Sequence, residues 1–249
     1  MKISIITIVF NRCDTIAETI ESVVGQTYPD IEYIVVDGLS TDGTVEIVQS
    51  YGARIAKFVS EKDDGLYDAI NKGISLATGE VIGLLHSDDI FFSKDSVAMI
   101  ARTFLDQNTD SVYADLLYVQ KENTNKTVRY WISGLYNRKR FLRGWMPPHP
   151  TFYVRKSLFD KHGVYNTDFK SAADYELMLR FLYKHKVSTA YLPVKLVKMR
   201  VGGKSNISLQ NRIRANREDH HSWVVNDLVP KFYTRYFKPL RKLVQYLKK

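Results

Sequence analysis

Residues 3–10, Ile-Ser-Ile-Ile-Thr-Ile-Val-Phe, form a nearly continuous β-branched run. The run lacks the in–out alternation of a strand with one wet face. It therefore predicts a strand buried on both sides, which requires helices above and below it. Tyr33-Ile34-Val35-Val36 reads as a second strand, Ile55 to Val59 as a short third, and Val81 to Leu85 as a fourth buried one. Helical patterns fall between them. Thr15 and Glu18 have capping-box spacing ahead of a helix through Val24. The turn-rich Asp37 to Gly43 precedes a helix to Ser50. Leu66 to Ala77 has helical apolar spacing and meets Gly79, a stop signal. Ser93 or Asp95 caps a further helix to about Leu105. This alternation predicts an α/β fold: a Rossmann-like, mostly parallel sheet flanked by helices, with right-handed crossovers. Ligands in such sheets sit outside the carboxyl ends of the strands. That rule selects Phe10-Asn11-Arg12, Asp37 to Gly43, and His86 to Asp89.

Beyond residue 110 the pattern becomes α+β. Ser111–Tyr118, Lys126–Trp131 and Thr151–Val154 read as strands, with helices near Lys156–Lys161 and Ala173–Tyr183 and a proline-stiffened loop at Trp145–Pro150. The expected organisation is one domain of two halves, residues 1–110 and 111–205, followed by a basic helical tail over 206–249. In the tail, Val229, Phe232, Tyr233, Tyr236, Leu240, Leu243 and Leu247 fall at helical spacing with Lys and Arg between them. Pro239 should break or kink that helix. From Lys195 onward there are 14 Lys/Arg against 3 Asp/Glu, within a chain of net charge +9. The basic character belongs to the tail. It suits an anionic membrane surface or, equally, a packed helix with a solvated basic face.

The single cysteine, Cys13, excludes an internal disulfide and a Cys-rich zinc site. No signal-peptide pattern opens the chain, and the apolar runs are far shorter than a bilayer span. The expectation is a cytoplasmic protein, peripheral at the inner face of the cell membrane. Neither a dinucleotide Gly-x-Gly-x-x-Gly nor a P-loop is present.

Three carboxylate positions carry chemistry. Asp88 and Asp89 follow a buried strand, where adjacent negative charges call for a hard cation such as Mn²⁺ or Mg²⁺. The same pair suits a helix cap with a solvated neighbour. Asp37 ends the second strand, placed to accept a hydrogen bond from a base or ribose, and equally suited to a turn with Gly38. Asp174 opens a helix, as a general base or as a charge favoured by the helix dipole. His149 lies between Pro148 and Pro150.

Together these segments resemble the family 2 glycosyltransferases, inverting enzymes of GT-A fold, from residue 2 to about 205. Ser4 to Arg12 is similar to the family's opening strand, and Val35 to Thr44 to its Val-Asp-(Gly/Asp)-x-Ser-Thr-Asp-Gly-Thr signature. Glu61 to Gly73 resembles its Asn-x-Gly helix, and Ser87-Asp88-Asp89 the end of its Asp-x-Asp-Asp motif, with His86 in place of the first Asp. Ala173-Asp174-Tyr175-Glu176-Leu177 with Arg180 resembles the segment bearing the base, with Ala173 where a Glu is common. Gly202-Gly203-Lys204-Ser205 is similar to a late Gly-Gly-x-Ser loop. The resemblance implies donor binding by Phe10, Asn11, Asp37, Asp68, Asn71, Lys72, Ser87 and Asp88. It implies a metal at Asp88 with support from Asp89, and Asp174 as the base. It also implies a nucleotide-sugar role for the half over 1–110 and an acceptor and base role for the half over 111–205. His149, Arg200 and Lys204 are placed on the acceptor side, the last two toward a diphosphate. The implied partners are a nucleotide-sugar, with uracil the commonest donor base and hence a UDP-sugar, and a glycan or polyprenyl-diphosphate-linked acceptor in cell-surface polysaccharide synthesis, with no nucleic acid.

A sugar-nucleotide nucleotidyltransferase would share the sheet and the metal carboxylates. It usually needs a Gly-rich loop after the first strand, and Asn11-Arg12-Cys13-Asp14 supplies no glycine there. A glycoside hydrolase would use two carboxylates without a nucleotide. A non-enzymatic basic module for membrane or nucleic acid explains the tail but not the carboxylates at strand ends.

Overall fold

The computed structural model describes residues 1–202 and 209–234 of the chain. The alternating first part forms β1 (Ile3–Val9), α1 (Ile16–Val24), β2 (Ile31–Asp37), α2 (Thr44–Ser50), β3 (Lys57–Ser60), α3 (Leu66–Leu76) and β4 (Val81–Leu84). All seven residues of β1 are buried. Their period of two divides them between two cores. Ile6 and Ile8 join α3 residues such as Ile70 and Ile74, while Ile3, Ile5 and Val9 join Ile16 and Ile20 of α1. β1 pairs in parallel with β2 and β4, and β2 with β3.

The second part contributes β5 (Asp89–Phe91), α4 (Ser96–Gln107), β6 (Ser111–Val119), β7 (Thr127–Trp131), β8 (Tyr153–Arg155), α5 (Lys156–His162), α6 (Ala173–Met178), β9 (Thr189–Arg200) and α7 (Leu209–Val224). Residues 179–184 continue α6 as wider π-type turns. One sheet runs through both halves in the order β3-β2-β1-β4-β8-β6-β9-β5, with β7 on β6. The long β6–β9 ladder is parallel, but β8 joins β4 and β6 antiparallel, and β5 joins β9 antiparallel. The sheet is thus mixed, and its parallel character resides in the longest ladders. Gly83 lets β4 and β8 approach: a Cβ there would lie 1.9 Å from the Tyr153 ring.

Several sequence expectations change. Thr15 and Glu18 do not form a capping box. Thr15 makes no side-chain cap; its hydroxyl instead donates to Ser87 O at 2.9 Å, and Glu18 pairs with Arg200. α3 stops at Leu76, before Gly79, whose N–H donates to Ser4 Oγ. β5 and β9 were not expected from the pattern. Of the tail, only the stretch to Thr234 is described; the rest of the helical pattern lies outside the described residues. Among the described residues, no helix is long and apolar enough to cross a membrane.

Candidate active site

The carboxyl ends of β1 and β2 build the first wall. Asp37 pairs with Val9 in register and is fully buried. Its carboxylate is fixed by Ser40 Oγ at 2.5 Å, Ser40 N at 3.0 Å and Ser60 Oγ at 2.6 Å. Asn11 locks the neighbouring turn: its N–H donates to Ser40 Oγ, and its Oδ1 accepts from Thr41 N. Asn11 and Leu39 both hold positive φ, 50° and 64°. A bulky leucine there is strained, as occurs at functional turns. Phe10, 47% exposed, stands over Gly38, where a Cβ would lie 3.4 Å from its ring. An exposed ring beside an oriented carboxylate is a wall on which a flat base can stack and hydrogen-bond.

The second wall is the chain from Leu85 to Asp89. Every carbonyl in it has a donor: Thr7 Oγ1 to Leu85 O, Asp89 N to His86 O, Thr15 Oγ1 to Ser87 O, Arg200 Nη1 to Asp88 O and Thr19 Oγ1 to Asp89 O. Asp88 is half-buried on this firmly held backbone. Asp89 differs. Its side chain is fully enclosed in β5, and neither carboxylate oxygen has a hydrogen-bond partner. Burial, and then the Asp88 charge, push its pKa well above the usual carboxylate range, against the pull of Arg200.

The third wall carries Asp174 on the first turn of α6. Its charge acts on His86, Tyr67 and Tyr165, from three separate segments. Those rings form a row with His149. Tyr67 stacks on Tyr165 at 5.9 Å, Tyr165 meets His149 at 5.6 Å, and His149 meets His86 at 5.5 Å. His149 Nε2 and the Tyr165 hydroxyl share a hydrogen bond of 2.8 Å. Burial, helped by His86, lowers the His149 pKa to about 3, so the ring is neutral. His86 is also lowered by burial, while Asp88 and Asp174 oppose the shift. The charges of Asp88 and Asp174 thus both reach the His86 imidazole.

Other expected site residues are engaged in holding the walls. Asn71 Nδ2 donates to Tyr165 O at 2.8 Å, and Tyr165 N returns a bond to Asn71 Oδ1. Lys72 pairs with Glu61 and Asp68 and donates to Lys62 O, while Asp68 Oδ2 accepts from Asp64 N. Ser87 is buried. Arg200, only 4% exposed, is committed to Asp88 O, Lys121 O and Glu18, behind the second wall rather than on an open acceptor face. Lys204 lies outside the described residues. Sequence reasoning missed Tyr67, whose helical apolar spacing reads as core, together with Tyr165 and Ser60, which carry no pattern signal.

The donor set fits a cation in one mode. Among the described residues, no three His, Cys, Asp or Glu side chains are grouped to hold a metal. An all-protein cage is therefore not built here. Mg²⁺-type ions commonly use one or two carboxylates with substrate phosphates completing the shell, and Asp88 meets that requirement.

Residues 4–168 match the family model described as glycosyl transferase family 2. A PGL/p-HBAD biosynthesis glycosyltransferase of Mycobacterium bovis is 28% identical over 209 residues, covering 82% of this chain and 78% of that protein. An uncharacterized glycosyltransferase of Mycobacterium tuberculosis is 36% identical over 180 residues, covering 72% and 68%. Among solved structures, S. aureus TarS 1–349 in complex with UDP-GlcNAc superposes with TM-score 0.70 at 19% identity, covering 92% of this chain and 68% of that one. The mannosyltransferase PcManGT from Pyrobaculum calidifontis, in complex with GDP-Man and Mn²⁺, gives 0.65 at 20% identity, covering 99% and 69%. These two likenesses establish a GT-A-like fold. With the family match spanning most of its length, the chain belongs to glycosyltransferase family 2.

Proposed function

We propose that the protein is an inverting, metal-dependent hexosyltransferase. It moves a sugar from a nucleotide-sugar, with UDP the favoured donor, to a hydroxyl of a glycan or polyprenyl-diphosphate-linked acceptor in cell-surface polysaccharide synthesis. The observation that supports the reading is that the charges of Asp88 and Asp174 both act on His86, while Phe10 stands over Gly38 next to Asp37. Donor diphosphate and acceptor hydroxyl would meet there. Relatives and neighbours support it: TarS binds UDP-GlcNAc, and PcManGT binds GDP-Man with Mn²⁺.

In this mechanism Phe10 stacks on the base and Asp37 accepts a hydrogen bond from it. Asp88 would hold the cation, which when bound would offset the negative charge gathering on the diphosphate. Asp174 accepts the acceptor's hydroxyl proton as that oxygen bonds to the anomeric carbon. The bond from that carbon to the diphosphate oxygen breaks in the same displacement, which inverts the centre. Neutral His149, tied to Tyr165, keeps the row of rings dry and uncharged beside the base. Asp89 is enclosed in β5 and offers no open ligand atom in this arrangement.

The tail is assigned to an anionic membrane surface. Val229 and Phe232 are 86% and 88% exposed beside Lys231, and Thr234 Oγ1 ties the segment to Leu142 O, next to the exposed Arg143. Co-sedimentation with phosphatidylglycerol vesicles, before and after deleting residues 228–249, tests this; equal binding contradicts it.

A thermal-shift panel of UDP- and GDP-sugars with and without Mn²⁺ or Mg²⁺ tests the main reading. The expected result is a cation-dependent rise with one nucleotide class. No rise with any sugar nucleotide or nucleoside diphosphate contradicts it.

A further inference from the structure

Glu218 of α7 closes its carboxylate over three consecutive backbone amides. Lys170 N donates to Oε1 at 3.2 Å, and Ser171 N and Ala172 N donate to Oε2 at 2.8 and 2.9 Å. These amides lead directly into α6, the helix that carries Asp174. Ala172 occupies the cap position and makes no side-chain cap. A helix start leaves N–H groups that need acceptors, and neighbouring amides in a turn converge on an anion. Local sequence offers none here; the acceptor comes from 46 residues downstream.

The same helix and the turn after it grip the far side of Asp174. Trp223 Nε1 donates to the Tyr175 hydroxyl at 3.0 Å, and Asn226 Nδ2 donates to Glu176 Oε1 at 2.9 Å. Tyr67 lays its hydroxyl against the amides of Ala173 and Asp174. The chain on both sides of Asp174 is therefore fixed from outside α6. Of these fixings, Glu218 alone contributes a charged acceptor that holds three amides at once.

We propose that Glu218 is a positioning residue for Asp174: a remote cap that sets where the carboxylate meets the acceptor hydroxyl. This rests on the reading of Asp174 as the base. A displacement of about 1 Å in such a group is enough to lower turnover about 10²-fold.

The test uses the full chain and the sugar nucleotide selected by the thermal-shift panel. Nucleoside diphosphate release is followed with water as the acceptor, alongside UDP binding by calorimetry. Glu218→Ala should lower kcat about 10²-fold with UDP affinity unchanged. Glu218→Gln, whose amide oxygen still accepts from Ser171 and Ala172, should restore turnover close to the wild-type rate. Asp174→Asn separates the two ideas. If it turns over normally, the base assignment fails. If it is inactive while Glu218→Ala is normal, the positioning role fails. A Glu218→Gln variant as slow as Glu218→Ala also overturns the cap, because the loss would then follow charge and not the hydrogen bonds. Should Glu218→Ala not fold, Glu218→Asp shortens the arm by one methylene and keeps the charge. Slowed turnover with intact UDP binding is expected of it, and wild-type turnover overturns the proposal.

Discussion

Arg200 Nη1 donates to the main-chain carbonyl of Asp88 at 2.7 Å, joining residues 112 apart in the chain. The guanidinium also reaches Lys121 O and pairs with Glu18 on α1. The carboxylate assigned to the cation is thus set from behind by an enclosed side chain. Arg200→Lys keeps the charge but loses the planar fork. Nucleotide affinity in Mn²⁺ should fall about 10-fold, at the lower end for groups behind a metal ligand. Calorimetry checks this; unchanged affinity would leave Thr15 and Thr19 as sufficient supports.

Asp37, proposed to bond the donor base, is held by Ser40 and Ser60. Asp37→Ala should weaken UDP binding about 10–100-fold, the usual range for losing a hydrogen bond to a charged group. Ser60→Ala, which only loosens the carboxylate, should cause a smaller loss. Binding isotherms for both variants rank the two effects, and a larger loss for Ser60→Ala would contradict the assignment.

Gly83→Ala tests the sheet beneath the site. The added carbon would lie 1.9 Å from Tyr153 Cε1 and 2.4 Å from Cδ1, inside a buried ring. Overpacking of this kind costs about 1–3 kcal/mol or more. A lower denaturation midpoint with an unchanged denaturant slope is the expected result.

The strands of the first half were legible because β1, β2 and β4 are buried on both faces, so their apolar runs are unbroken. β9 was not, because its burial is uneven and its sequence includes Pro193 and Lys195. β5 was hidden by its three-residue length. Asp37, Asp88 and Asp174 were visible as carboxylates at strand ends and a helix start. Their supports were not, because the letters that cap a helix locally also serve distant contacts: Thr15 and Glu18 fit a capping box yet brace Ser87 and Arg200. Glu218 lies on a polar helix, where nothing in the pattern separates a distant cap from a solvated charge.

Glu32 contributes acid sensitivity to the fold. Burial alone would raise its pKa, but Ser4, the Thr78 N–H and hydroxyl, and Lys57 outweigh it and hold the value at about 2, below the ordinary 4.5. The depressed group contributes fully above pH 4.5 and loses that contribution as pH falls toward 2. The contribution is on the order of 3 kcal/mol. Glu32→Gln should be less stable at neutral pH and show a flatter stability profile across that acid window, as followed by urea unfolding at several pH values.

The most direct measurement is sugar transfer by Asp174→Asn, with nucleotide binding followed on the same preparation. Transfer is expected to fall about 10²–10⁴-fold, the usual contribution of a general base, while donor affinity stays at the wild-type value. Near-normal transfer by this variant would contradict the assignment of Asp174 as the base.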